Sequence, residues 1–213
     1  MSKLPFARVA VVCLVAIAVS IPAEARRKKS PAASTEPGTY QQWGPNIDEI
    51  EIVKPFNAAD YKTIVVVPFD TDEVQLPKPE DNTYEPVKKV LASVTDPFVA
   101  SLGEHTEAKV SLDAKPGKGE GTLIVRGKVL EMDPGSKAAR YFAGFGAGAA
   151  RSKISGEIVD AKTKAVLVKF TQERRSGVGM MGGDYVGLMN RNLRAIGEDV
   201  ANILRVFGAA TKE

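Results

Sequence analysis

The sequence predicts an α/β fold of the α+β kind: a mixed sheet of about five strands, ordered β-α-β-β-β-β-α, with helices packed on one face. Three observations lead there. Ile64-Val65-Val66-Val67 is a short, β-branched, continuously apolar run, the pattern of a buried strand. Thr122–Met132 alternates in polarity, and two further strand-like stretches follow, joined by the turn Asp160–Lys164. Two segments, from Tyr84 and from Asp184, repeat apolar residues every three or four positions, which gathers them on one side of a helix.

The chain of 213 residues has room for one domain plus terminal segments. Its start carries an export pattern. Lys3 and Arg8 precede the apolar stretch Val9–Ile21, which ends at Ala23-Glu24-Ala25, so residues 1–25 are expected to be a signal peptide. Thirteen residues of helix cover roughly 20 Å, short of a ~30 Å hydrocarbon core. The expected localisation is the periplasm or cell envelope. Residues 26–45 follow as a basic, Pro/Ala/Ser-rich tether headed by Arg26, Arg27, Lys28 and Lys29. A domain over 46–208 and a short tail, 209–213, complete the expected plan.

Net charge is a poor guide to partners. The formal value is +3, yet beyond residue 29 acidic side chains outnumber basic ones by two. A nucleic-acid binder is therefore not expected.

Element by element, Lys62–Phe69 is expected as the first strand and Asp70–Asn82 as a polar loop. Val87, Val90, Leu91, Val94, Phe98 and Leu102 form the stripe of a helix that Asp96-Pro97 either kinks or divides, with Asp96 as cap and Pro97 at the first helical position. Val110 and Leu112 suggest a short strand. Thr122–Met132 ends at the turn Asp133-Pro134-Gly135-Ser136, Lys153–Val159 and Ala165–Thr171 form a hairpin, and a helix with Asp184 as cap and Gly208 as stop closes the fold.

Two glycine-rich segments, 137–150 and 176–183, interrupt this pattern. An up-down-up strand path places both at the same end of the sheet. Arg140, Tyr141, Phe142, Phe145, Arg151, Arg174, Arg175, Met180 and Met181 lie in or beside them. Arginine, aromatic and methionine side chains on loops are the composition of contact surfaces, so these nine residues are the expected interaction edge. The competing reading is packing: glycine lets a long connection lie flat while Phe142 and Phe145 cap the core. Gly144-x-Gly146-x-x-Ala149 fits a dinucleotide loop in letters only, because a strand follows it rather than a helix.

Chemistry has few candidates. His105 is the only histidine and stands where a helix should end. Cys13, the only cysteine, lies in the export segment and lacks the small residues of a lipidation box before it. Asp70, Asp72 and Glu73 lack the glycine turn of a calcium loop. No catalytic, metal or cofactor residues are expected, and the chain is not expected to be an enzyme. The expected partners are an envelope protein, a membrane surface or a second copy of the chain. The alternative readings are a small-molecule or glycan-binding module and a carboxylate-dependent hydrolase.

Asp133-Pro-Gly-Ser-Lys-Ala-Ala-Arg-Tyr-Phe-Ala-Gly-Phe-Gly-Ala-Gly148, with Glu157-Ile-Val-Asp160 and Thr163, resembles the bacterial exported family known as domain of unknown function 4410. The resemblance covers roughly residues 60–207. It implies an envelope protein of lipoprotein-like kind with no assigned catalytic residues. Lys164 departs from the family pattern, which places glycine there.

Overall fold

The computed structural model describes residues 33–135, 148–177 and 184–209. Along the chain run β1 (Gly38–Trp43), β2 (Ile47–Ile52), β3 (Thr63–Val66), α1 (Tyr84–Leu91), α2 (Thr95–Glu104), β4 (Lys109–Leu112), β5 (Thr122–Asp133), β6 (Ala150–Asp160), β7 (Val166–Ser176) and α3 (Tyr185–Ala209). The strands form a single mixed sheet in the order β1-β2-β7-β6-β5-β3-β4. The fold class is α+β as expected, but the described residues contain seven strands, not about five.

The additional strands are β1 and β2. Their hairpin extends the sheet past β7, with Ile50 opposite Phe170, so β1 falls inside the segment expected to be a tether. Composition hid it because the outer face of the hairpin is polar: Thr39, Gln41, Glu49 and Glu51 point away from the core. Trp43, Ile47, Ile50 and Ile52 point into it and supply the missing hydrophobic face.

Strand β3 pairs in parallel with both β4 and β5, and α1 and α2 make the crossover from β3 to β4. The Asp96-Pro97 region resolves into two helices, not one kinked helix. The second begins at Thr95, one residue before the expected cap. Pro97 stands in its first turn, where a missing N–H costs no intrahelical bond. Thr95 Oγ1 instead accepts a buried hydrogen bond from the Phe69 N–H at 2.9 Å, and Phe69 meets Phe98 edge-on at 4.9 Å.

The three helices cover one face of the sheet. Val87, Val90, Phe98 and Leu102 from α1 and α2 join Met189, Leu193, Ile196, Val200, Ile203 and Phe207 from α3 over Ile64, Val66, Val125, Ile154 and Val168. Burying such a side chain contributes roughly 1.5–3 kcal/mol, so the α3 stripe outweighs the ~1 kcal/mol cost of each of its glycines. Asp184 caps α3 as expected, its Oδ1 accepting the Val186 N–H at 3.0 Å. The expected stop at Gly208 is not used; the helix runs on to Ala209. Gly197 is required by packing. A Cβ there would fall 2.5 Å from the carbonyl oxygen of Phe98, so α2 and α3 touch backbone to backbone.

The β6–β7 turn keeps its shape without glycine. Lys164 takes φ +63°, the left-handed region, while Asp160 Oδ1 accepts bonds from the N–H and hydroxyl of Thr163 at 2.6 and 2.8 Å. Tyr61 donates its hydroxyl to Asp160 Oδ2 at 2.7 Å. Those bonds hold the Asp160 carboxyl below its usual range, the Thr163 backbone donor first among the causes. Burial and the bond to Asp160 push the Tyr61 hydroxyl upward.

Candidate functional site

The register of β5, β6 and β7 brings three strand ends together. Asp133 pairs with Arg151, and Ala150 pairs with Ser176. The polypeptide leaving β5, entering β6 and leaving β7 therefore does so at one rim. Gly135 and Gly148 make a neck there. Both have positive φ, +78° and +77°, and a Cβ on Gly135 would lie 2.2 Å from the Gly148 carbonyl oxygen. The Gly135 N–H donates to Asp133 Oδ1 at 2.7 Å and fixes the turn.

Of the nine residues expected at the interaction edge, Arg140, Tyr141, Phe142, Phe145, Met180 and Met181 lie outside the described residues. Arg151, Arg174 and Arg175 are all at the rim, but the sheet divides them. Arg151 lies on the face away from the helices, 3.4 Å from Asp133 Oδ2 and 3.8 Å from Glu131 Oε1. Arg175 shares that face and pairs with Glu173. Arg174 points the other way, toward α3.

Beneath the rim on the helix side lies a polar seam. Arg174 grips Asp199 with Nε 2.6 Å from Oδ2 and a second bond to Oδ1. Asp199 is 1% exposed and also accepts from Gln172 Nε2 at 2.9 Å. Gln172 in turn bonds the Asn46 carbonyl and the Asp48 N–H, tying in the β1–β2 hairpin. Asn192 donates to the Ala150 carbonyl at 3.1 Å and accepts from the Ser176 hydroxyl at 2.6 Å. Burial pushes the Asp199 carboxyl upward, and Arg174 and Gln172 oppose it by bonding the ionised form. Asp199, Gln172 and Asn192 were not singled out from the sequence. The available signal was Asn192 and Asp199, seven residues apart within the apolar stripe of α3.

The face of the sheet away from the helices carries ion pairs, between strands and from β5 to the loop that follows β3. Arg126 bonds Glu157 Oε2 at 3.0 and 2.8 Å, Lys169 bonds Glu51 at 3.0 Å, and Lys128 reaches Glu73 at 2.7 Å. A trough of about 610 Å³ lies on this face among Arg126, Lys128, Glu157 and Lys169. The paired Gly127 and Gly156 belong to the opposite, helix-side face, where a Cβ on Gly156 would meet the Phe170 ring at 2.5 Å. A second cleft, about 830 Å³, lies by the end of α2, with Ile64, Leu123 and Leu204 on its floor and Lys62, Glu104 and Arg205 at its margin. His105 borders it as the C-cap of α2, its Nδ1 2.8 Å from the Ser101 carbonyl. Among the described residues no three histidine, cysteine or acidic side chains gather as metal ligands. No helix of the described residues is long and apolar enough to cross a membrane.

A family model described as a domain of unknown function (DUF4410) matches residues 53–180. No curated protein matches the chain. Among solved structures, the chain is similar to the PelC dodecamer from Paraburkholderia phytofirmans at 12% identity and TM-score 0.43, covering 70% of this chain and 96% of that one. Protein XCC0632 from Xanthomonas campestris is similar at 14% identity and TM-score 0.42, over 74% and 93% of the two chains. Lipoprotein GNA1162 from Neisseria meningitidis is similar at 16% identity and TM-score 0.31, over 66% and 98%.

Proposed function

We propose, from the premise that this chain belongs to the DUF4410 family of domains of unknown function, that it is an exported envelope protein acting as a non-enzymatic assembly module. Its contact surface is the rim where β5, β6 and β7 end, and its partner is another envelope protein. One observation carries the reading: the register sets Asp133 beside Arg151 and Ala150 beside Ser176, so the flanks of both glycine-rich segments converge. Export is supported by the pattern Lys3, Arg8, Val9–Ile21 and Ala23-Glu24-Ala25.

Arg174 is removed from the contact set, because its guanidinium is engaged by a buried carboxylate. Arg151 and Arg175 stay, together with Arg140, Tyr141, Phe142, Phe145, Met180 and Met181 from the adjoining segments. The test is crosslinking in envelope preparations with the variant Phe142→Ala/Phe145→Ala/Arg175→Ala. A partner captured by the parent chain should be lost while the melting temperature is kept. Capture of the same partner at the same yield by the variant would end the proposal.

A further inference from the structure

We infer that the sheet face turned away from the helices docks a second copy of this chain, related by a two-fold axis parallel to the strands and lying between β6 and β7. All three helices cover the other face, and among the described residues no helix covers this one. Its charges are ordered by strand register. Glu51 pairs with Lys169, Lys169 with Glu157, and Glu157 with Arg126. One row across β2, β7, β6 and β5 therefore reads acid, base, acid, base. Salt bridges close both halves of it, Lys169 to Glu51 at 3.0 Å and Arg126 to Glu157 at 2.8 Å.

Such a row is its own complement when reversed. Rotation about the proposed axis exchanges β2 with β5 and β7 with β6. Glu51 then faces Arg126 of the second copy, and Lys169 faces Glu157, each contact being made twice. An axis laid along the row would instead set every charge against itself, so the alternation selects one arrangement of the two. The neighbouring rows obey the same exchange. Glu49, Thr171, Ser155 and Lys128 lie in register, so Glu49 meets Lys128 and the two hydroxyls meet each other. On the other side of the charged row Val159 and Val166 are paired and change places, which adds an apolar contact.

With two acids and two bases the row carries no net charge, so it does not select a uniformly charged partner. It selects a surface whose charges alternate at the same ~4.8 Å spacing, and a second copy has that spacing by construction. Facing sheets sit about 10 Å apart, a gap that long acidic and basic side chains from both copies can bridge. A patch four strands wide spans about 19 Å, small for a permanent interface, so the association is reversible. The rim and its partner are not involved, so this inference and the proposed function can fail separately.

Every element of the fold lies after residue 33, so the chain from Arg26 onward retains all of it. Sedimentation of that chain should show a dimer that grows with concentration and dissociates in added salt. Glu51→Lys and Arg126→Glu should each weaken it by about tenfold or more, since each sets like charges together at two symmetry-related points. Both residues are exposed and their own ion pairs contribute little to folding, so both variants should melt close to the parent. Mixing the two variants is the decisive measurement. In the mixed pair every contact along the row is again between opposite charges, so a heterodimer should form about as tightly as the parent dimer. Within one chain the two positions stand about 14 Å apart, three strand spacings, so no intrachain contact can produce that rescue. A parent chain that stays monomeric, variants that dimerise as well as the parent, or a mixture that does not pair would overturn the inference.

Discussion

The guanidinium of Arg174 closes on the carboxylate of Asp199, Nε to Oδ2 at 2.6 Å, and joins the end of β7 to the middle of α3. Truncating one partner of a buried pair is costly because the other keeps an uncompensated charge. Arg174→Ala should therefore destabilise the protein by about 2–3 kcal/mol, less than a fully buried pair because Arg174 is 31% exposed. The loss carries a pH signature. A carboxyl whose folded pKa is raised burdens the fold when ionised and is relieved as pH falls through that value. Urea unfolding of Arg174→Ala should accordingly show a smaller deficit at mildly acidic pH than at neutral pH. An equal deficit at both would argue that the arginine acts through packing alone.

Gly197→Ala separates propensity from packing. Alanine favours an isolated helix by about 1 kcal/mol, but here its methyl would sit 2.5 Å from the Phe98 carbonyl oxygen. Pushing α2 and α3 apart should dominate, giving a net loss of about 1–3 kcal/mol by thermal or urea melting. A stabilised variant would mean that the two helices separate at little cost.

Lys164→Gly should stabilise. At φ +63° a side chain costs about 1 kcal/mol that glycine does not incur, partly offset by the greater entropy of glycine in the unfolded chain. The expected gain is about 0.5 kcal/mol by chemical denaturation. Gly135→Ala should do the reverse and destabilise, since its Cβ would collide with Gly148.

Acid should weaken the β6–β7 turn through Asp160. Its folded pKa lies below the ordinary 3.8, so its stabilisation is complete above that value and is lost as pH falls through the lower folded value. Asp160→Asn should flatten the loss of stability on the acid side, measured as the urea midpoint from pH 5 downward. An unchanged acid slope would remove Asp160 from that role.

What the sequence disclosed follows burial. Strands β3, β5, β6 and β7 and helix α3 line the core, so their apolar patterns survive in the letters. The β1–β2 hairpin sits at the sheet's edge with one face in water, and only Trp43 and three isoleucines betray it. The extent of β7 mattered more. The pattern in the letters ends this strand at Thr171, which would put Arg174 and Arg175 together in a loop. In the structure both belong to the strand, where successive side chains point to opposite faces, so the pair cannot share one surface. One reaches Asp199 and the other stays with Glu173 on the far side. Asp199 and Asn192 were legible only as polar positions in an apolar stripe, and their partners, Arg174 and Gln172 from β7 and Ser176 at its end, come from a strand that the helix meets only after folding.

Gly135 and Gly148 abut, so the sheet sees the intervening twelve residues as a closed bracket of nearly zero span. Closing a longer bracket between the same two points costs only about 0.6 kcal/mol for each doubling of its length. A stretch of quite different length could therefore be inserted between Gly135 and Gly148 while β5 and β6 keep their register.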